Sequence, residues 1–180
     1  MRTHRLSSSV VAFPIALVLI ASLAILFIFW VQRLQTVAAA NLSVNDTSDS
    51  LVAGDGKCSL RETIINANTD SDTTGGDCAA GNGADIIGLP RGTYTLAIAG
   101  TGEDAALTGD LDITSGLTIV GAGQGTTVID GNSVDRVIHI LGSIVVNLSD
   151  VTIQNGELFS GPTTNGRTTD GGGSSTLAVR

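Results

Sequence analysis

Hydrophobic and polar positions along this chain fall into three regimes. From Val10 to Val31 the sequence is continuously apolar apart from serine. From Cys58 to Asn68, CSLRETIINAN, apolar residues recur at helical spacing. Leu60, Ile64 and Ala67 fall at i, i+4 and i+7, with Ile65 at the margin of the stripe. Ser59 and Glu62 form the S-x-x-E pattern of a capping box, which predicts a helix over 59–68. Glu62 and Asn66 are expected to point away from the stripe. A helix this short is not stable alone, so its apolar face needs something to cover. The expectation is that it covers the open end of a stack of β-coils.

From Asp85 the pattern changes to strand and turn. Ile86–Ile87 and Tyr94–Ile98 are separated by the turn-like Pro90-Arg91-Gly92. Then come Leu111–Thr114, Leu117–Val120, Thr127–Asp130, Arg136–Leu141, Ile144–Leu148 and Val151–Gln154, mostly bounded by Gly, Asn, Asp or Ser. Leu117-Thr118-Ile119-Val120-Gly121 and Val151-Thr152-Ile153-Gln154-Asn155 read as one repeated rung, first and third residues inward and threonine outward. No helical crossover separates these strands, which argues against a doubly wound α/β fold. An antiparallel sandwich stays open on strand length alone. In a stack of coils, inward Val, Ile and Leu form rows, and an uncovered terminal coil would expose unpaired backbone groups.

Composition and charge narrow the function. Glycine at 23 residues, 3 % aromatic and 14 % charged residues suit a stacked β architecture better than a compact enzyme. Arg2 and Arg5 ahead of the apolar run, and Ala38-Ala39-Ala40 after it, read as a signal peptide over 1–40 with Ala38 and Ala40 framing the cleavage site. The run also approaches the length that spans a bilayer, so an uncleaved signal anchor is the competing reading. Both export everything downstream. Without Arg2, Arg5 and Arg33, six basic residues face 17 acidic ones, a formal charge of −11. That excludes an electrostatic grip on nucleic acid.

Candidate chemistry is sparse. Cys58 and Cys78 are the only cysteines, and an even pair in an exported chain predicts a disulfide closing a loop over the helix. Zinc would need more ligands, and His4 and His139 are not placed to supply them. Asp46, Asp49 and Asp55 offer oxygen ligands for calcium, but their spacing matches no EF-hand loop and they read as solvated turns. Asp104, Asp110, Asp112, Asp130, Asp135 and Asp150, with Arg136 as a cationic partner, are the carboxylates a glycosidase would draw on. Turn-flanking aspartates more often cap backbone N–H groups, and Asp135-Arg136 reads equally as a surface pair. His139, in an apolar strand, reads as structural. Gly121-x-Gly123-x-Gly125 lacks a phosphate-loop lysine and a following helix. No catalytic residue, metal or cofactor is assigned.

The stretch CSLRETIINAN resembles the N-terminal CSLREA-type domain of bacterial exported proteins, with Thr63 where the name-giving motif has alanine. The resemblance continues through Asp77-Cys78, Gly83–Ile87, Leu89–Leu96, Gly109–Ile113 and Leu117–Gly121, covering residues 42–156. It implies a right-handed parallel β-helix, the head of a larger surface protein, without a defined catalytic activity. The resulting expectation is an all-β solenoid with a short amphipathic cap helix. Its divisions are 41–98 as the cap region, 99–156 as β-helix rungs, and 157–180 as a Gly/Thr-rich loop opening a further rung. The expected function is a non-enzymatic cell-surface or adhesion scaffold whose partner is a surface polysaccharide or another surface protein. The alternative is a carbohydrate-active β-helix enzyme or its substrate-binding portion. Only Tyr94 and Phe159 would remain after export to stack on sugars, the other aromatics being Phe13, Phe27, Phe29 and Trp30 of the leader.

Overall fold

The computed structural model describes residues 21–26, 38–157 and 177–179. The chain divides into two units, Met1–Val37 and Ala38–Arg180. In the first, residues 21–26 are helical, with Leu23, Ile25 and Leu26 exposed. Among the described residues no helix is long and apolar enough to cross a membrane. The expected cleavage residues Ala38 and Ala40 open the second unit.

Among its described residues the second unit consists of short strands, mostly in parallel sheets, and one helix. β1 (Asn41–Ser43) is followed by α1 (Leu60–Thr69), then β2 (Asp85–Leu89), β3 (Gly92–Thr95), β4 (Leu111–Ile113), β5 (Leu117–Gly121) and β6 (Thr127–Asp130). β7 (Ile138–Ile140), β8 (Val146–Ser149), β9 (Val151–Gln154) and β10 (Leu177–Val179) complete the order. One sheet runs β1-β2-β5-β8, all parallel. A second holds β3, β6 and β9 in parallel, and a third pairs β4 with β7. From β2 to β9 the chain therefore visits the three sheets in a fixed order, returning to each one strand further along.

Register explains the core. Leu42, Ile87, Ile119 and Leu148 are successive partners across the first sheet, and Tyr94, Ile129 and Ile153 across the second. Alternation along each strand turns these residues inward, and they belong to one hydrophobic cluster with Leu111, Ile113 and Val151. The two runs read as one repeated rung do not stack on each other. β5 lies between β2 and β8, whereas β9 lies beside β6 in another sheet. The shared inward-outward-inward pattern suits any strand facing this core, so sequence similarity did not identify the spatial neighbour. The terminal Leu177–Val179 run, expected to open another rung, is antiparallel to β9, with Leu177 opposite Ile153. A further coil of the same sense would pair in parallel.

The helix differs from expectation in one respect. Leu60, Ile64 and Ala67 are buried, with Ile64 fully so, and Ile65 is partly exposed. Glu62 and Asn66, expected on a solvent face, are buried as well. For Asn66 the cause is residues 70–83, which return over that side. Asn66 donates to the carbonyls of Cys78 and Ala79 and accepts from the backbone and hydroxyl of Thr73 (2.8 and 2.7 Å). Cys58 and Cys78 form a disulfide across this loop, with Cα atoms 5.0 Å apart. Ser59 caps the helix: its hydroxyl accepts from Glu62 N–H, and Glu62 Oε2 accepts from Ser59 N–H. Asp70 ends it in the left-handed conformation, φ 49°.

Candidate functional site

Charged side chains gather around the β4–β7 sheet. In Leu111-Asp112-Ile113 alternation turns the two aliphatic residues into the core and Asp112 to the opposite face. The register places His139 of Ile138-His139-Ile140 directly beside Asp112. Asp112 is nevertheless fully buried, because the segment following β3 folds over it. Ala106 N–H donates to Asp112 Oδ2 at 3.0 Å, and His139 Nδ1 lies 2.9 Å from Oδ1. So short an approach to a carboxylate assigns the Nδ1 proton to that bond. Arg136 donates from Nε to Asp110 Oδ2 at 2.7 Å, and its Nη2 lies 3.3 Å from His139 Nδ1. Exposed Asp104 approaches His139 at 3.7 Å, and buried Asp135 accepts the N–H of Arg136 at 2.7 Å.

Electrostatics follow from this crowding. Burial pushes the Asp110 carboxyl above its ordinary range, the neighbouring charges of Asp112 and Asp135 push the same way, and Arg136 opposes them. Among the described residues, Asp104, Asp112 and His139 each offer a ligand atom, all within 4.8 Å of one another, and so could hold a metal ion. The fit is poor. Asp112 Oδ1 and His139 Nδ1 already share a proton, and the Arg136 guanidinium beside them would repel a cation. The arrangement is a closed charge network, each buried carboxylate meeting a donor from this chain.

The other sequence candidates lie outside this network. Asp130 accepts from Gln154, Asn155 and the N–H of Asn132. Burial raises its carboxyl, but those donors outweigh it and hold the group below the ordinary range. Asp150 sits at φ 56° in the turn between β8 and β9. Asp135 and Arg136 are not an exposed pair, since Asp135 is buried and Arg136 reaches Asp110. Tyr94 is buried, its hydroxyl donating to the carbonyl of Pro90, and presents no platform for a sugar. Phe159 lies outside the described residues. Gly121, Gly123 and Gly125 run from the end of β5 into the turn before β6.

Asp49 is the largest departure from a solvated turn. Its carboxylate, 2 % exposed, meets Arg61 in a two-point ion pair and accepts the N–H groups of Ala97 and Ile98. Burial works against the charge, yet these donors win and hold the carboxyl below its ordinary value. Arg61 is itself 1 % exposed. Its remaining donors go to the carbonyls of Ala106, Gly109 and Asp110 at 2.8–3.1 Å, so all five guanidinium N–H groups are used. It thereby fixes the segment that buries Asp112. Asn68, on the next turns of α1, donates to Asp112 C=O and accepts Thr114 N–H, both at 2.8 Å. One side chain thus does for the edge of β4 what a neighbouring strand would do. Sequence reading passed over Arg61 and Asn68. The available signal was a positive charge in the first turn of a helix, where the helix dipole disfavours one.

Asp46 accepts from Ser48, and Asp77 binds three successive N–H groups at Gly54, Asp55 and Gly56. These acidic turns are therefore organised by their own backbone. At the entrance to the unit, Ala40 donates to Asp85 Oδ1 at 2.9 Å and accepts from Ile86 N–H, and Asn82 binds the carbonyl of Ala38. No family model, no curated protein and no solved structure matches this chain.

Proposed function

We propose that this chain is the N-terminal part of an exported, non-enzymatic surface scaffold of the CSLREA type, folded as a right-handed parallel β-helix. The observation that carries this is the fixed order in which the chain revisits its three sheets, with aliphatic residues in register from strand to strand. Parallel returns of this kind take the right-handed sense. Such an architecture lengthens by adding coils and presents surface, which is what an adhesion or display protein needs. In that frame α1 and its disulfide loop are the cap: Asn68 supplies partners to β4, and Asp49 supplies them after β3. A disulfide between Cys58 and Cys78 suits an oxidising compartment outside the cytoplasm. The acidic surface fits a neutral or cationic polysaccharide, or a protein with a basic face, and not nucleic acid.

A carbohydrate-active enzyme is the second reading, favoured by the raised Asp110 carboxyl beside Asp112, Arg136 and His139. The two separate in one experiment. Full-length protein is expressed in an exporting host and intact cells are probed with protease. The recovered protein is then incubated with neutral, acidic and amino-sugar polysaccharides. A scaffold is accessible on the cell exterior and releases no new reducing ends or unsaturated products. Depolymerisation that disappears in both Asp110→Asn and His139→Ala, with unfolding curves unchanged, would establish the enzyme and sink the scaffold.

A further inference from the structure

We propose that signal peptidase cuts between Ala39 and Ala40, and that the α-ammonium of Ala40 so created pairs with the buried carboxylate of Asp85. The proposal rests on the export reading and deepens it. Asp85 is 1 % exposed, at the start of β2. Its Oδ1 accepts two backbone N–H groups, from Ala40 and Asn82, each at 2.9 Å. Its Oδ2 is buried with no partner. Among the described residues no cation pairs with it, unlike Asp49, Asp110 and Asp112, each of which meets Arg or His. A buried carboxylate lacking a counter-charge is costly.

The chain supplies that charge at one place. Hydrolysis adds water across the Ala39–Ala40 peptide: Ala39 leaves as a carboxylate, and the Ala40 nitrogen becomes an amine that takes up a proton. That nitrogen already lies 2.9 Å from Asp85 Oδ1, so a neutral N–H bond becomes a charge-assisted one without movement. Val37-Ala38-Ala39 meets the small-residue requirement as Ala38-Ala39-Ala40 does. Cutting after Ala40 instead would remove both the donor to Asp85 and the carbonyl that accepts Ile86 N–H on β2. The pocket is rigid on its far side. Gly81 packs so closely that a Cβ there would lie 2.7 Å from Asp85 Oδ2 and from Ala67 Cα. The carboxylate therefore has no route out towards solvent by that side.

Full-length protein exported from a bacterial host is tested in two steps. N-terminal sequencing of the secreted product should begin at Ala40. A start at Asn41 overturns the proposal and leaves export standing; recovery only of the Met1 form in membranes also overturns it and leaves the signal anchor, whereas a Met1 form shielded from protease on intact cells overturns export as well. The same material is then reductively methylated with isotope-labelled methyl groups, which marks two amines, the terminus and Lys57, the chain's single lysine. The terminal amine should titrate about one pH unit or more above its value in urea-unfolded protein, where an α-amine has a pKa of roughly 7.7–8.0. The rise should be absent in Asp85→Asn. An unshifted amine in the folded protein overturns the pairing, even if Asp85→Asn fails to fold.

Discussion

Ile64 and Arg61 sit side by side in α1 and show two ways of holding it. Ile64 is fully buried and belongs to the same cluster as Ile87, Leu111 and Ile119. Ile64→Asp should cost several kcal/mol in chemical denaturation, since it loses apolar burial (about 1.5–3 kcal/mol) and places an unpaired charge in that cluster. Unfolding of Ile64→Asp at the parent midpoint would show that the helix covers nothing. Glu62→Gln, which keeps the buried volume and weakens the capping box, should cost about 1 kcal/mol or less. Arg61→Met leaves Asp49 buried without its cation and three carbonyls without donors. It should lose roughly 3–5 kcal/mol, and Asp49→Asn combined with Arg61→Met should recover part of this. Simple additivity of the two in a double-mutant cycle would refute the pairing.

At the scale of elements, strand positions were legible because alternation of Val, Ile and Leu with polar residues survives in each short run. Thr127–Asp130 and Val151–Gln154 were read with their observed limits. Arg136–Leu141 was read too long, since only Ile138–Ile140 finds a ladder partner and Asp135 and Arg136 belong to the charge network. Which strands are neighbours was not legible. Pairing is decided by how much chain each turn consumes, and the run from Asp85 to Leu117 differs in length from that between Val128 and Thr152. The charge network was hidden for the same reason. Asp112 and His139 are neighbours through register, which no local spacing displays. Burial of Asn66 is not legible because the covering segment 70–83 is polar and carries no apolar pattern. That segment depends on the disulfide. Replacing Cys58 and Cys78 with alanine should lower stability by about 3 kcal/mol, the chain-entropy figure for a loop of this size, read from urea midpoints. An unchanged midpoint would mean that the loop is held by Asn66 and Thr74 alone.

For the whole molecule, acid should be the main destabilising condition. Asp49 and Asp130 are held below the ordinary carboxyl range, so the folded state releases their protons more readily than the unfolded chain. Their contribution is fully present above the unfolded value of about 3.9 and is lost as pH falls through the lower folded values. Asp110 has the opposite sign: its raised carboxyl keeps a proton longer when folded, so it offsets part of the loss in acid. Urea unfolding followed from pH 7 to pH 2 should show stability falling below about pH 4. The fall should be shallower in Asp130→Asn, and an identical acid limb in that variant would contradict the assignment.

The corner between β3 and β4 has a use of its own. Gly102 sits there at φ 75° with open space around it, and Thr101 and Gly102 are exposed. The bonds that fix the corner lie further on, where Glu103 holds the N–H groups of Ala105 and Thr108 and Arg61 holds the carbonyls of Ala106, Gly109 and Asp110. A foreign peptide spliced in beside Gly102 would lengthen the excursion without displacing β4 from β7 or β3 from β6. It should leave the melting temperature within a degree or two, since doubling a loop costs only about 0.6 kcal/mol. The corner is thus a grafting point, where an epitope or binding sequence could be carried on the molecule as interchangeable cargo.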